Sequence, residues 1–200
     1  MTMRPLTLRL ANFVVFQTAW FAAVLGAAHG MPLWGTACVL GAIAWHLVAA
    51  RQPAREAMLV GIVCLLGFAI ESVHATRGLV RYPSGQPDPH LAPYWMVALW
   101  GLLAIALNVT LRWLRGRWWL AAALGAAAGP ASFASGVALG GAQFVDRAPA
   151  LAALALSWAF ALPAVVWLSI RFDGFDGFGG FGGYGGYGGF DGGSGGRHAG

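Results

Sequence analysis

Long apolar stretches separated by short polar segments set the pattern of this chain. Residues 10–50 contain no Asp, Glu, Lys or Arg, and this run is too long for one membrane-spanning helix of about 20 residues. The segment Gly30–Pro32 interrupts the run, so we predict one helix over 10–28 and a second over 31–50. Later apolar stretches predict four more helices, over 57–76, 93–111, 118–145 and 150–170. The pattern indicates an all-α integral membrane protein, a bundle of six transmembrane helices.

Polar segments join the predicted helices and mark their ends. Residues 51–56 form a short polar turn that includes Glu56, and residues 77–92 form the one sizeable loop. A basic turn follows the fourth helix, and a tight turn over 146–149 precedes the sixth. With these boundaries, Glu71 is the only acidic side chain inside a predicted span.

Composition agrees with a membrane protein and excludes other classes. Hydrophobic residues make up 58% of the chain and charged residues 10%, whereas a soluble domain has about 25% charged residues. A soluble globular domain and a nucleic-acid-binding protein are therefore excluded. The net charge of +5 comes from Arg without any Lys. Arg residues between apolar runs orient the helices and contact anionic headgroups.

The distribution of Arg predicts how the helices are oriented. Six spans place the N-terminal residues 1–9 and the C-terminal residues 171–200 on one side of the membrane. Nine Arg residues fall on the side of the termini: Arg4, Arg9, Arg51, Arg55, Arg112, Arg115, Arg117, Arg171 and Arg197. Three fall on the opposite side: Arg77, Arg81 and Arg147. Since loops rich in Arg stay in the cytoplasm, we expect both termini to be cytoplasmic.

The composition changes abruptly after residue 171. Aromatic residues recur at every third position from Phe172 to Phe190, with Asp-Gly or Gly-Gly between them. This segment does not favour a helix, because each Gly costs about 1 kcal/mol relative to Ala. We expect residues 171–200 to form a flexible, Gly-rich cytoplasmic tail that is dispensable for folding. The alternative is a segment whose rings self-associate or lie on lipid headgroups.

Polar side chains inside the predicted spans are the candidate functional residues, because they are costly in hydrocarbon unless they are paired. Asn12, His46 and Asn108 lie near the cytoplasmic ends of their helices, and Gln17 lies one to two turns deeper. The first three either form hydrogen bonds between helices or line a headgroup-binding pocket that opens to the inner leaflet.

Glu71, His74 and Gln143 are the candidates near the outer side. Glu71 and His74 are three residues apart and share a helical face, so they form either a structural ion pair or a pair that handles protons or binds substrate. The nearest partner elsewhere in the chain is expected to be Gln143. A Glu-x-x-His pair is half of a di-iron motif, but the second half is missing. We therefore predict no metal and no cofactor, and the pattern assigns no catalytic residue.

The fifth predicted helix carries several small residues. Gly125, Gly129, Gly136 and Gly140 form two pairs of small residues four apart, and Pro130 interrupts the helix. Such pairs let helices pack closely in lipid. The alternative is that Pro130 breaks the helix to line a cavity, as in transporters.

Several segments together form a recognisable pattern, namely Asn12–Phe21, Val24–Gly26, Pro93–Trp100, Asn108, Leu124–Ala126 and Gly129–Pro130. With this pattern, about residues 10–170 of the chain resemble a bacterial inner-membrane family catalogued as domain of unknown function 2878. It implies location in the bacterial inner membrane. Genes of that family often lie beside those of lipid-modifying enzymes such as cyclopropane fatty acid synthases, which implies an accessory role in membrane-lipid modification. The family has no established activity, and the Gly-aromatic tail departs from its pattern.

Three functions remain open. The first is a non-catalytic membrane component that organises or assists lipid-modifying partners. The second is a membrane-embedded enzyme or carrier that acts on lipid through the buried polar residues, and the third is a small-solute transporter. Few acidic and basic residues lie within the spans, which weakens the enzyme hypothesis, and no internal repeat supports a transporter. The expected partners are membrane lipids and either lipid-modifying proteins or a second copy of the chain, with no nucleic acid.

Overall fold

The structure is a computed structural model that describes residues 5–175, and this part of the chain is mostly helical. Besides the helices it contains one short 3-10 turn, Arg112–Leu114, and two strands, β1 (Val80–Arg81) and β2 (Gln143–Phe144), which pair antiparallel. The expected flexible tail lies outside the described residues from position 176 onward. The six helices are α1 (Pro5–Ala28), α2 (Pro32–Ala49), α3 (Pro53–Thr76), α4 (Tyr94–Leu107), α5 (Trp118–Ala138) and α6 (Arg147–Arg171).

Local sequence explains where several helices begin and end. Gly30 ends α1 with a positive φ of 72°, and its neighbour Met31 donates from its N–H to the carbonyl of Gly26 at 2.8 Å. Glycine adopts this left-handed conformation without steric cost. Pro32 and Pro53 begin α2 and α3, at a position where a helix does not need the N–H that proline lacks.

Five of the helices are long and apolar enough to cross a membrane, and α4 is a shorter apolar helix. The 14 residues of α4 correspond to about 21 Å, less than the roughly 30 Å of a bilayer core. α4 occupies the centre of the bundle and contacts α1, α2, α3 and α6. The chain is a multi-pass membrane protein, and the number of six spans stays a prediction.

The described helices alternate between two ends of the bundle. Leu8 near the start of α1 packs with Val109 and with Phe175, which follows α6. We call this end, with the starts of α1, α3 and α5, the terminal end. The opposite end carries β1 and β2, and we call it the hairpin end.

The beginning of α3 differs from the sequence prediction. The expected polar turn over 51–56 is shorter, because Pro53 begins the helix before the charged pair Arg55 and Glu56. Glu56 therefore lies inside α3 and is fully buried. The prediction that Glu71 is the only acid within a span was wrong, because charge was used to mark the helix end.

The other helix boundaries differ as well. α1 begins at Pro5 and α6 at Arg147, both earlier than predicted, whereas α4 ends at Leu107, before the predicted residue 111. α5 ends at Ala138 and not at 145, because Gly140 turns the chain with a φ of 85°. The helix runs through Pro130 without ending there.

Candidate functional site

A large apolar cleft of about 870 Å³ lies between α1, α4, α5 and α6. α1 packs mainly on α2 and α4, and α5 packs mainly on α6, so the cleft separates these two groups of helices. Its volume lies within the roughly 300–1,000 Å³ typical of ligand pockets. Aromatic side chains from all four helices line it, among them Phe16, Trp20, Trp95, Trp100, Phe133 and Trp158.

The cleft offers few polar groups and extends along the length of the bundle. Its wall reaches from Ala142 at the hairpin end to Trp113 and Leu114 at the terminal end. Gln17, a predicted site residue, is exposed and lines the cleft. The other uncharged polar side chains in the wall, apart from the indoles, are those of Ser132 and Ser135. Such a space suits an apolar ligand with one or two polar atoms.

A hydrogen-bonded cluster around Glu56 lies buried at the terminal end. The Glu56 carboxylate is 2.8 Å from His46 Nε2 and accepts a hydrogen bond from Asn108 Nδ2 at 2.6 Å. It also accepts one from the backbone N–H of Gly174 at 2.7 Å. The structure thus joins two predicted residues, His46 and Asn108, through an acid that the sequence prediction had placed in a turn.

Asn12 lies at the same end in a separate hydrogen-bonded group. Its Nδ2 donates to the carbonyl of Ile105 at 3.1 Å, and its Oδ1 accepts from the hydroxyl of Thr110 at 2.6 Å. These bonds join the first turns of α1 to the end of α4. Asn12 therefore satisfies its polar atoms between helices.

Residues 172–175 pack onto the terminal end. The Asp173 carboxylate forms ion pairs with Arg112 at 2.6 Å and Arg115 at 2.7 Å. The carbonyl of Gly174 accepts hydrogen bonds from the backbone N–H groups that follow α2, and the ring of Phe175 lies 4.9 Å from that of His46. The expectation that the flexible tail begins at 171 is wrong for these residues, because they bury charged and aromatic groups.

The environment of Asp173 favours its charged form. Burial raises the pKa of Asp173, but hydrogen bonds from Arg115 and the Phe175 N–H, together with the charges of Arg115 and Arg112, lower it by more. The net pKa lies below its usual value of about 3.9. The stability that these ion pairs contribute is therefore present above that value and is lost as the pH falls through the lower folded-state pKa.

A second buried carboxylate, Glu71, lies toward the hairpin end. Glu71 Oε2 is 3.1 Å from His74 Nδ1 and accepts from the Tyr82 hydroxyl at 3.3 Å, while Glu71 Oε1 accepts from the Trp100 indole at 3.2 Å. The other ring nitrogen of His74, Nε2, is 3.3 Å from the hydroxyl of Ser157. Burial, and then the neighbouring Glu71 carboxylate, raise the pKa of Tyr82 well above its usual value, so its hydroxyl stays a donor.

Gln143 occupies a different position from the one expected. It lies exposed in β2, opposite Arg81, because α5 ends before it. The donors to Glu71 come instead from the loop residue Tyr82 and from Trp100 of α4. Sequence spacing could not identify them, since the partners lie 11 and 29 residues away along the chain.

The glycines of α5 differ in their surroundings: two pack against α6, and a third lines the cleft. A Cβ added at Gly125 would overlap the backbone carbonyl of Trp158, and one added at Gly129 would overlap the Trp158 ring. At Gly136 a Cβ would meet nothing within 4 Å, and Gly136 lines the cleft. Gly140 lies beyond the end of α5, so close packing on this helix involves the first two glycines.

A family model described as "Protein of unknown function (DUF2878)" matches residues 9–164. No curated protein and no solved structure matches the chain.

Proposed function

Since the chain belongs to the DUF2878 family, whose description assigns no activity, we propose a function from its own geometry: it is a membrane-embedded protein that binds lipid. In this proposal one acyl chain lies in the cleft between α1, α4, α5 and α6. The observation that carries the proposal is the cleft of about 870 Å³ with its almost wholly apolar wall. An apolar chain gains free energy from dispersion contacts there, and a polar solute would lose its hydration without replacement.

One group in the cleft wall fits a polar atom of the ligand. The indole N–H of Trp158 is buried without a hydrogen-bond partner among the described residues. Trp158 lines the cleft and stacks on Trp100 at a centroid distance of 4.8 Å. A buried donor without a partner is costly, and an ester carbonyl of a bound lipid would satisfy it.

The proposed role is an accessory one in membrane-lipid modification in the bacterial inner membrane. The protein would present a bound lipid to a lipid-modifying partner or to a second copy of the chain. We also propose six spans with both termini in the cytoplasm. The Arg residues support this orientation, because seven of the ten in residues 5–175 belong to segments at the terminal end, namely Arg9, Arg51, Arg55, Arg112, Arg115, Arg117 and Arg171.

Photocrosslinking tests whether the cleft holds an acyl chain. The full-length protein is reconstituted with a phospholipid that carries a diazirine in one acyl chain, and the labelled peptides are identified by mass spectrometry. We expect labels on cleft residues of α1 and α5. Gly136→Leu fills open space in the cleft and should lower that labelling about tenfold, equivalent to about 1.4 kcal/mol of binding.

A matched substitution controls for general effects of added bulk. Gly61 lies on the exposed face of α3, and a Cβ there also meets nothing within 4 Å. Gly61→Leu should leave cleft labelling unchanged. If the label falls evenly on lipid-facing residues around the bundle and both variants resemble the wild type, the cleft holds no specific chain.

A lipid-acting enzyme is the second candidate, on one observation. Ser157, His74 and Glu71 follow one another in hydrogen-bonding order, with the hydroxyl at one ring nitrogen and the carboxylate at the other. A serine nucleophile, its base and an orienting acid have this order. The Ser157 hydroxyl also donates to the Leu154 carbonyl at 3.1 Å and does not line the cleft, so binding remains the preferred function. Labelling of Ser157 by a fluorophosphonate, lost in His74→Gln, would favour the enzyme.

A further inference from the structure

Two Arg residues at the terminal end hold an anion that the chain itself supplies. Arg112 and Arg115 both contact the Asp173 carboxylate, which lies in the segment after α6. Guanidinium groups bind carboxylate and phosphate oxygens through the same paired N–H groups. The geometry that receives Asp173 therefore also fits a phosphate.

Arg115 has contacts besides the one with Asp173. One of its terminal nitrogens donates to Asn108 Oδ1 at 2.5 Å and to the carbonyl of Ser169 at 3.1 Å. Its Nε is buried and has no partner among the described residues. Asn108 is in turn bonded to Glu56, so we expect the guanidinium to keep these contacts when the carboxylate leaves. An unused donor also remains for a further ligand oxygen.

The Arg pair lies next to residues that line the cleft at the terminal end. Leu111, Trp113 and Leu114 alternate along the chain with the two Arg residues, and these three side chains line the cleft. Arg112, Trp113 and Leu114 together form the 3-10 turn between α4 and α5. A lipid with its chain in the cleft would therefore bring its headgroup to this turn.

We propose that Arg112 and Arg115 bind the phosphodiester of an anionic phospholipid, and that residues 172–175 compete with it. The inference rests on the proposed function, because it assigns the headgroup of the lipid whose chain fills the cleft. A phosphodiester and the Asp173 carboxylate each carry one negative charge, so the exchange leaves the net charge of the site unchanged. Residues 172–175 thus act as an internal competitor that sets the affinity for lipid.

The competition also couples the lipid site to Glu56. When Asp173 leaves the Arg pair, the adjoining residue Gly174 moves with it, and the N–H of Gly174 no longer donates to Glu56. Glu56 keeps its contacts with His46 and Asn108. Bound anionic lipid would therefore release residues 172–175 as a unit while the helices stay packed.

Lipid-binding measurements on the full-length protein test the inference. Affinities are measured by native mass spectrometry for phosphatidylglycerol and phosphatidylcholine with identical acyl chains. We expect the wild type to bind phosphatidylglycerol about tenfold more tightly, the worth of one charge-assisted pair. Asp173→Asn should raise the affinity for phosphatidylglycerol several-fold without changing that for phosphatidylcholine. Arg115→Gln should abolish the preference.

Two further variants separate the Arg pair from general effects. Arg117 is exposed in the same turn region and lies 5.9 Å from the Trp113 ring, so Arg117→Gln removes a nearby charge outside the Asp173 contact. It should leave the preference nearly unchanged. Arg115→Lys keeps the charge but loses the paired donors, and it should lose part of the preference. If Asp173→Asn lowers the melting temperature, the lipid preferences of Arg115→Gln and Arg115→Lys still test whether Arg115 binds the headgroup.

The possible failures are distinguishable. Equal affinity for both lipids in the wild type and in Asp173→Asn, with both lost in Gly136→Leu, would overturn the headgroup site and leave the cleft function intact. Binding of neither lipid would overturn the proposed function itself. Inorganic phosphate is the third probe: if it binds as tightly as phosphatidylglycerol and removes the preference, the Arg pair binds free phosphate and the lipid assignment is wrong.

Discussion

Two carboxylates lie buried on the same face of α3, and each contacts three polar groups. Glu56 contacts a histidine, an asparagine and a backbone N–H, whereas Glu71 contacts a histidine, a tyrosine and an indole. A carboxylate is costly inside a protein unless its oxygens are hydrogen-bonded. The apolar residues Leu59 and Val63 lie between the two acids on that face. This face of α3 therefore carries a polar cluster at each end and apolar side chains in its middle.

Substitution of Glu56 tests the buried cluster at the terminal end. Glu56→Leu would leave His46, Asn108 and the Gly174 N–H without their shared acceptor. We expect a loss of stability on the order of 1–3 kcal/mol for each buried polar group left without a partner. Glu56→Gln should lose less, since one oxygen still accepts. Melting in detergent measures both, with Asp88→Asn in the exposed loop as the control. Wild-type stability of Glu56→Leu would contradict this account.

At the scale of elements, α5 owes its close contact with α6 to glycine. Gly125 and Gly129 face the backbone and ring of Trp158, and any side chain there would hold the helices apart. Small residues let helices approach in lipid, where dispersion contacts replace the hydrophobic effect. The same helix turns Gly136 toward the cleft. One helix thus combines a packed face and an open one.

Alanine substitutions separate these two faces. Gly125→Ala should lower the melting temperature, because the new Cβ meets a backbone oxygen that cannot move aside. Gly136→Ala should be neutral or add up to about 1 kcal/mol, since alanine favours the helix and meets nothing within 4 Å. The melting temperatures of both variants, measured in the same detergent, test this difference. Equal decreases in melting temperature would show that both glycines pack against neighbours.

The apolar runs predicted all six helices, but the helix ends and their partners needed the fold. The boundary at Glu56 was wrong because we took a charged residue to lie outside the membrane. In the structure Glu56 is buried, and its carboxylate contacts His46 and Asn108, which lie 10 and 52 residues away along the chain. The boundary near Gln143 was wrong because Gly140 ends α5 and no charged residue marks that position. Neither the Tyr82 and Trp100 donors nor the docking of Asp173 follows from spacing, since long-range contacts decide them.

At the scale of the whole molecule, the two ends of the bundle differ in charge. This difference predicts that the terminal end faces the cytoplasm and the hairpin end faces the opposite side of the membrane. A phosphatase that is active only outside the cytoplasm, fused after Gly200, should be inactive. The same enzyme inserted between Pro87 and Asp88, in the exposed loop of the hairpin end, should be active. The reason is the excess of Arg at the terminal end. The reverse pattern would invert the orientation, and activity at both positions would contradict the placement of three spans, α4, α5 and α6, between the two insertion points.

The contact between Gly174 and Glu56 also has a consequence for biosynthesis. The two residues are 118 positions apart, so at roughly 5–20 residues per second the ribosome adds the donor about 6–24 s after the acid. Asn108 follows Glu56 by 52 positions, so for about the first 3–10 s of that interval His46 is the one of these three partners already made. His46 is therefore the first of these three partners available to Glu56, Asn108 is the second, and the N–H of Gly174 is the last.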